Sequence, residues 1–127
     1  AGESAFYGKG FRAFATQVDE KGDAAGAKEF QQAVAKYDPE NKLPNSFNLF
    51  GYGIAKVLCK GLQGAGKDLT REKLVEALEK LKGYDTGIFA PVTYGKENRR
   101  GTDAARILKV DSQKKAFVME KDWLNAK

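Results

Sequence analysis

The stretch that decides the fold runs from Gly51 to Lys115. It reads Gly51-Tyr52-Gly53-Ile54-Ala55, then Ala65-Gly66-Lys67-Asp68-Leu69-Thr70-Arg71-Glu72, then Thr86-Gly87-Ile88-Phe89-Ala90-Pro91-Val92-Thr93-Tyr94, then Arg99-Arg100-Gly101. Around the first piece, Phe47, Phe50, Ile54, Val57, Leu58 and Leu62 recur at three- and four-residue steps. That spacing predicts a helix apolar over a wide arc and mostly buried. Asn45 or Ser46 can cap it with a side-chain oxygen on the free backbone N–H groups. Gly51 and Gly53 each cost on the order of 1 kcal/mol against alanine inside a helix, so they imply close packing of another backbone or of a ligand near the first turns. Gly64-Ala65-Gly66 stops the helix.

Thr70 is a good cap for a second helix, with Leu69 and Leu74 placed as a hydrophobic staple across its start. Glu72 falls in the first turn, where the helix dipole favours an acid. Leu74, Leu78 and Leu81 form the stripe to be buried, Glu76 can pair with Lys80, and Gly83 suits the position just past the end. Residues 87–94 read as a strand, and Pro91 makes it an edge or a crossing segment. A polar loop, 95–102, follows. Residues 104–110 and 116–121 read as two strands around the turn Asp111-Ser112-Gln113-Lys114-Lys115, with Trp123 packing at the end.

Upstream, residues 10–16 read as a short strand and 19–26 as a loop. Residues 27–37 read as a helix, because Phe30, Val34 and Tyr37 share one face. Pro39 ends it, since the residue before a proline is pushed out of the helical region. The order is β-α-α-α-β-β-β, an α/β arrangement. Its first strand is separated from the others by three helices, so a sheet built from these strands alone leaves long edges open.

Composition narrows the chemistry. The chain has 127 residues, 42% of them hydrophobic, which is enough to bury a core. There are 22 Lys+Arg against 17 Asp+Glu and no run of five like charges, so the net +5 reads as a solvated basic surface before it reads as a nucleic-acid footprint. With no histidine, the commonest general base and neutral metal ligand are missing. Cys59 is the one cysteine and sits among Val57, Leu58 and Leu62, which predicts a buried, inert thiol. Asp68, Glu72, Asp103 and Asp111 are candidate acids near turns, but none stands beside a base or a nucleophile at a useful spacing. Each is better read as a cap, a dipole partner or a turn residue, and the chain is read as no enzyme. No cofactor and no metal site are implied. No apolar run approaches the roughly 18–20 residues that span a bilayer. The start, Ala1-Gly2-Glu3, carries no signal-peptide pattern, so any such leader would lie upstream.

Taken in order, the motifs resemble the end of the periplasmic solute-binding proteins of branched-chain amino acid ABC transporters, the leucine/isoleucine/valine type. The residues that carry it are Glu29-Phe30 and Ala35-Lys36-Tyr37 with Pro39 after them, Gly51-Tyr52-x-x-Ala55, Ala65-Gly66-x-Asp68-Leu69-Thr70-Arg71-Glu72 before a Leu-rich helix, and Thr86-Gly87-x-x-x-Pro91-Val92. Each is weak alone, and their order and spacing over residues 10–124 make the pattern specific. The resemblance implies the C-terminal third of a two-lobed type I periplasmic binding fold. Residues 1–18 and 103–127 would be strands of the second lobe, 19–90 helices of the first, and 91–102 the last hinge crossing. It implies a non-catalytic receptor for a branched-chain amino acid or related aliphatic or aromatic acid. The expected location is the periplasm, or the outer face of a membrane. Its expected partners are the membrane permease and the missing N-terminal portion of the same protein, with self-association where that portion is absent. No nucleic acid is expected.

By the same resemblance, a residue just ahead of the Gly-Tyr-x-x-Ala helix lines the ligand cleft. Phe47 occupies that position and would supply an apolar wall, with Asn48 adding a polar contact. The plainer reading makes Phe47 the first member of the core stripe. Tyr52 is expected in the core with its hydroxyl hydrogen-bonded. Arg99 and Arg100 suit a solvated hinge loop or a lobe-to-lobe ion pair better than an anion site, and Lys114 and Lys115 solubilise a turn. The rival function is a stand-alone basic α+β domain that binds nucleic acid.

Overall fold

A computed structural model describes residues 12–40, 44–114 and 116–125. Gly10, Phe11, Asn41 to Leu43 and Lys115, on which parts of the expected strand, loop and turn fall, lie outside these. The elements in chain order are β1 (Arg12–Ala15), α1 (Ala25–Tyr37), α2 (Ser46–Ala65), α3 (Arg71–Glu79), β2 (Ala104–Asp111) and β3 (Ala116–Asn125). They divide between two compact units. The helices lie in a unit spanning 17–102, and the strands in a unit made of the segments on either side of it.

In the helical unit α1 starts two residues earlier than its apolar spacing predicts, and its N-cap Ala24 makes no side-chain capping bond. The start is held by packing instead. Gly26 and Ala27 are buried, and a Cβ at Gly26 would run into the backbone of Gly87. Phe30 is buried and Val34 packs against the same core, whereas Tyr37 is exposed under the ammonium of Lys36, 4.8 Å from the ring centroid. Asp38, which precedes Pro39, caps the helix outside the helical region.

Asn45 caps α2. Its Oδ1 accepts from the backbone N–H groups of Phe47 (3.0 Å) and Asn48 (3.2 Å), and the Asn48 side chain returns the bond by accepting from Asn45 N–H at 3.0 Å. The far end closes on Gly66 at φ +80°. The face that this helix buries is not the expected one. Leu49, Gly53, Val57 and Gly61 are buried at four-residue steps. Phe47, Phe50, Ile54, Leu58 and Leu62 remain exposed, Phe47 by 84%. Glycines decide the rotation. The Phe89 ring lies against Gly53, and Leu78 lies 2.6 Å from where a Gly61 Cβ would be. Only a bare backbone admits neighbours that close, so the glycine side turns inward. Gly51 fits the reading only halfway, since nothing stands within 4 Å of a Cβ there. Cys59 is exposed, a correction that follows from the same rotation.

In α3 the Thr70 hydroxyl accepts from Lys73 N–H at 3.2 Å, as its position predicts. Ala77 is buried, and Leu74 and Leu78 pack half-buried on the glycines of α2. The acid of this helix that finds a cation is Glu79, 2.6 Å from Arg99, rather than Glu76 with Lys80. The helix ends on Lys80, so Gly83, at φ +66°, belongs to the following turn.

Residues 87–94 do not form the expected strand. They are a buried plug closed by one antiparallel bridge, in which Tyr84 and Val92 exchange two backbone bonds of 2.9 Å. The Thr86 hydroxyl accepts from Ile88 N–H (3.2 Å) and Phe89 N–H (3.3 Å), and the Asp85 carboxylate accepts from Gly87 N–H (2.7 Å). Such local bonds compete with a strand ladder and coil the chain instead. Ile88, Phe89, Ala90 and Val92 are buried, and Val18 N–H donates to the Ile88 carbonyl at 2.9 Å.

The strand unit is one antiparallel sheet in the order β1-β2-β3. Phe14 pairs with Ile107, and Leu108 with Met119, beside register irregularities around Ile107. β3 runs to Asn125, four residues past the expected end. Arg12 forks onto Glu120 (2.6 and 2.9 Å), which holds the Glu120 carboxyl below its usual range. Arg106 reaches Asp122 at 2.8 Å and covers the Trp123 ring, 4.1 Å from its centroid. The β2–β3 turn is tied by Asp111, which accepts from Gln113 and Lys114 N–H at 2.9 and 3.0 Å.

Candidate functional site

The two residues proposed to meet a ligand sit in the first turn of α2. Phe47 projects with 84% of its surface exposed, so it is no member of the helical core. Asn48 is exposed, and its side-chain oxygen is taken by Asn45 N–H. Its amide NH₂ is therefore the group left to act, as a donor. The approach to this turn is pinned by Gln17, whose Nε2 donates to the Ser46 carbonyl at 2.7 Å. A protruding flat ring beside an amide donor, on a helix start held by its own cap, can offer an apolar wall and one hydrogen bond to an acceptor.

One turn further on lies a polar cluster that the sequence does not announce. The Tyr52 hydroxyl donates to Glu29 Oε1 at 2.9 Å, as expected for a half-buried tyrosine. Lys56 Nζ donates to Glu29 Oε2 (2.5 Å) and to the Thr86 carbonyl (3.0 Å). The Lys56 ammonium holds the Glu29 carboxyl below its usual range, while burial and the neighbouring carboxylate push the Tyr52 phenol up. The cluster joins α1, α2 and the 84–92 plug and leaves its members partnered. Beneath it the Tyr52 ring lies 5.7 Å from Phe30, and Phe50 meets Phe89 edge-on at 5.3 Å. Glu29 and Lys56 are 27 positions apart and carry no motif, so no local signal could have joined them.

The other candidates are not brought together. Arg99 is bonded to Glu79 inside the helical unit. Glu72 sits in the first turn of α3 and Asp111 ties its turn, as expected for a dipole partner and a turn residue. Among the described residues no three of Cys, Asp and Glu stand close enough to hold a metal ion. Among them, too, no helix is long and apolar enough to cross a membrane.

Comparison with known proteins places this architecture. The family model described as periplasmic binding protein matches residues 5–115, and the chain belongs to that family. The mixed helix and sheet architecture matches part of the periplasmic binding protein fold. A solved structure of a fatty acid ABC transporter substrate-binding protein from Thermomonospora curvata superposes with a TM-score of 0.68 at 23% identity, covering 94% of this chain and 31% of that one. A branched chain amino acid ABC transporter from Thermus thermophilus with bound valine gives 0.67 at 18% identity, covering 92% of this chain and 34% of that one. The chain thus spans about a third of the length of either structure. No curated protein gives a significant match.

Proposed function

We propose that this chain is the C-terminal part of a periplasmic, or extracellular and membrane-associated, receptor that binds a small solute between two lobes and delivers it to the permease of an ABC transporter. The observation that carries the reading is the family match over residues 5–115. In this reading the protein holds its ligand and does not transform it. Residues 1–18 and 103–127 belong to the second lobe, 19–90 to the first and 91–102 to the hinge crossing. The division of the chain after Thr16 and Thr102 supports that assignment.

The ligand is a branched-chain amino acid or a related aliphatic or aromatic acid, with Phe47 as the apolar wall and Asn48 as a donor to an acceptor oxygen. The exposure of Phe47 and the outward amide of Asn48 support these roles. The name of the Thermus thermophilus protein, which holds valine, favours an amino acid, and that of the Thermomonospora curvata protein a longer aliphatic acid. The bare stripe of α2 supports the remaining partner, the front portion of the fold, or a second copy where that portion is absent. An exposed run of Phe50, Ile54, Leu58 and Leu62 is the kind of surface that a larger assembly covers. The basic side chains do not favour a nucleic-acid reading, because Arg12, Lys56, Arg99 and Arg106 are in ion pairs with carboxylates.

Calorimetric titration tests the reading. Valine, leucine, phenylacetate and octanoate are added in turn to this chain and to a version extended by the upstream coding sequence. Strong heat with one of them for the extended version, and none for this chain alone, is the expected result. An extended version that binds none of the four, or a Phe47→Ala variant of it that binds unchanged, removes the ligand assignment.

A further inference from the structure

We draw no further inference here: the strongest candidate, the bare apolar stripe of α2 from Phe50 to Leu62 with the open Gly51 beside it, belongs to the partner reading already proposed, and nothing in the structure shows which surface covers it.

Discussion

The helical unit and the strand unit solve the same problem unequally. The first has an interior of its own: Val18, Ala27, Phe30, Leu49, Ile88 and Phe89 form one buried cluster. Among the described residues of the sheet, Ala104 alone is buried, while Phe14, Phe117, Met119 and Leu124 stand exposed. The sheet is held by ladder bonds and charged pairs, the helices by excluded water. Exposed ion pairs contribute little, about 0–1 kcal/mol each, whereas one fully buried aliphatic side chain contributes about 1.5–3 kcal/mol. The difference teaches that stability in this chain is concentrated between residues 17 and 102.

The sharpest way to break that contrast is to unfold the two units with separate probes. Trp123, the one tryptophan, reports on the sheet, and ellipticity at 222 nm reports on the helices. In a urea titration the fluorescence transition is expected at the lower concentration. Coincident curves would show one cooperative unit and defeat the comparison. The next largest effect is a core truncation. Leu49→Ala should cost about 2–5 kcal/mol by chemical denaturation, because the side chain is wholly buried. Met119→Ala on the exposed sheet should cost well under that, within about 1 kcal/mol.

The capping residues come next. Asn45→Ala removes the two capping bonds that its side chain accepts and should lower helix stability by about 1–2 kcal/mol, with Thr70→Ala near the lower figure. Two glycines of one helix should then give opposite signs. Gly51→Ala meets open space and is expected to stabilise by up to about 1 kcal/mol, while Gly53→Ala meets the Phe89 ring and should destabilise. Loss of stability at Gly51 in thermal melts would mean that its open side is occupied in solution. The smallest effect is in pH. Glu29 has its carboxyl depressed by Lys56, so the stability it adds is complete above the usual carboxylate range and is lost as pH falls below about 4. Half its side chain is exposed, so solvent screening keeps the loss under about 1 kcal/mol. A Glu29→Gln variant should flatten the acid limb of the stability–pH curve, and an unchanged limb would show that the Lys56 pair adds nothing.

Much of the fold was legible before any coordinates. Thr70 and the pair Asn45-Ser46 announce two helix starts, Gly64-Ala65-Gly66 an end and the run from Asp111 a turn. The residues that act there, Thr70, Asn45, Gly66 and Asp111, do so through bonds to backbone only a few residues away. The resemblance carried by Gly51-Tyr52-x-x-Ala55 and Thr86-Gly87-x-x-x-Pro91-Val92 pointed to the family that the match over 5–115 establishes. Two readings failed for different reasons. The run 87–94 reads as a strand, but the Asp85 and Thr86 side chains coil it through local bonds to Gly87, Ile88 and Phe89. Phe47, Phe50, Ile54 and Leu58 read as a buried stripe, since apolar spacing says that a face wants cover without saying which neighbour arrives. The Glu29–Lys56–Thr86 cluster is invisible for that same reason.

The sequence by itself determined where α2 and α3 start and where α1 and α2 stop, through caps, a proline and a glycine whose effects reach a turn or less. Tertiary structure decided which way α2 turns, because Phe89 and Leu78 can approach only where Gly53 and Gly61 leave the backbone bare. That choice depends on contacts between segments far apart in the chain, and no local pattern encodes it.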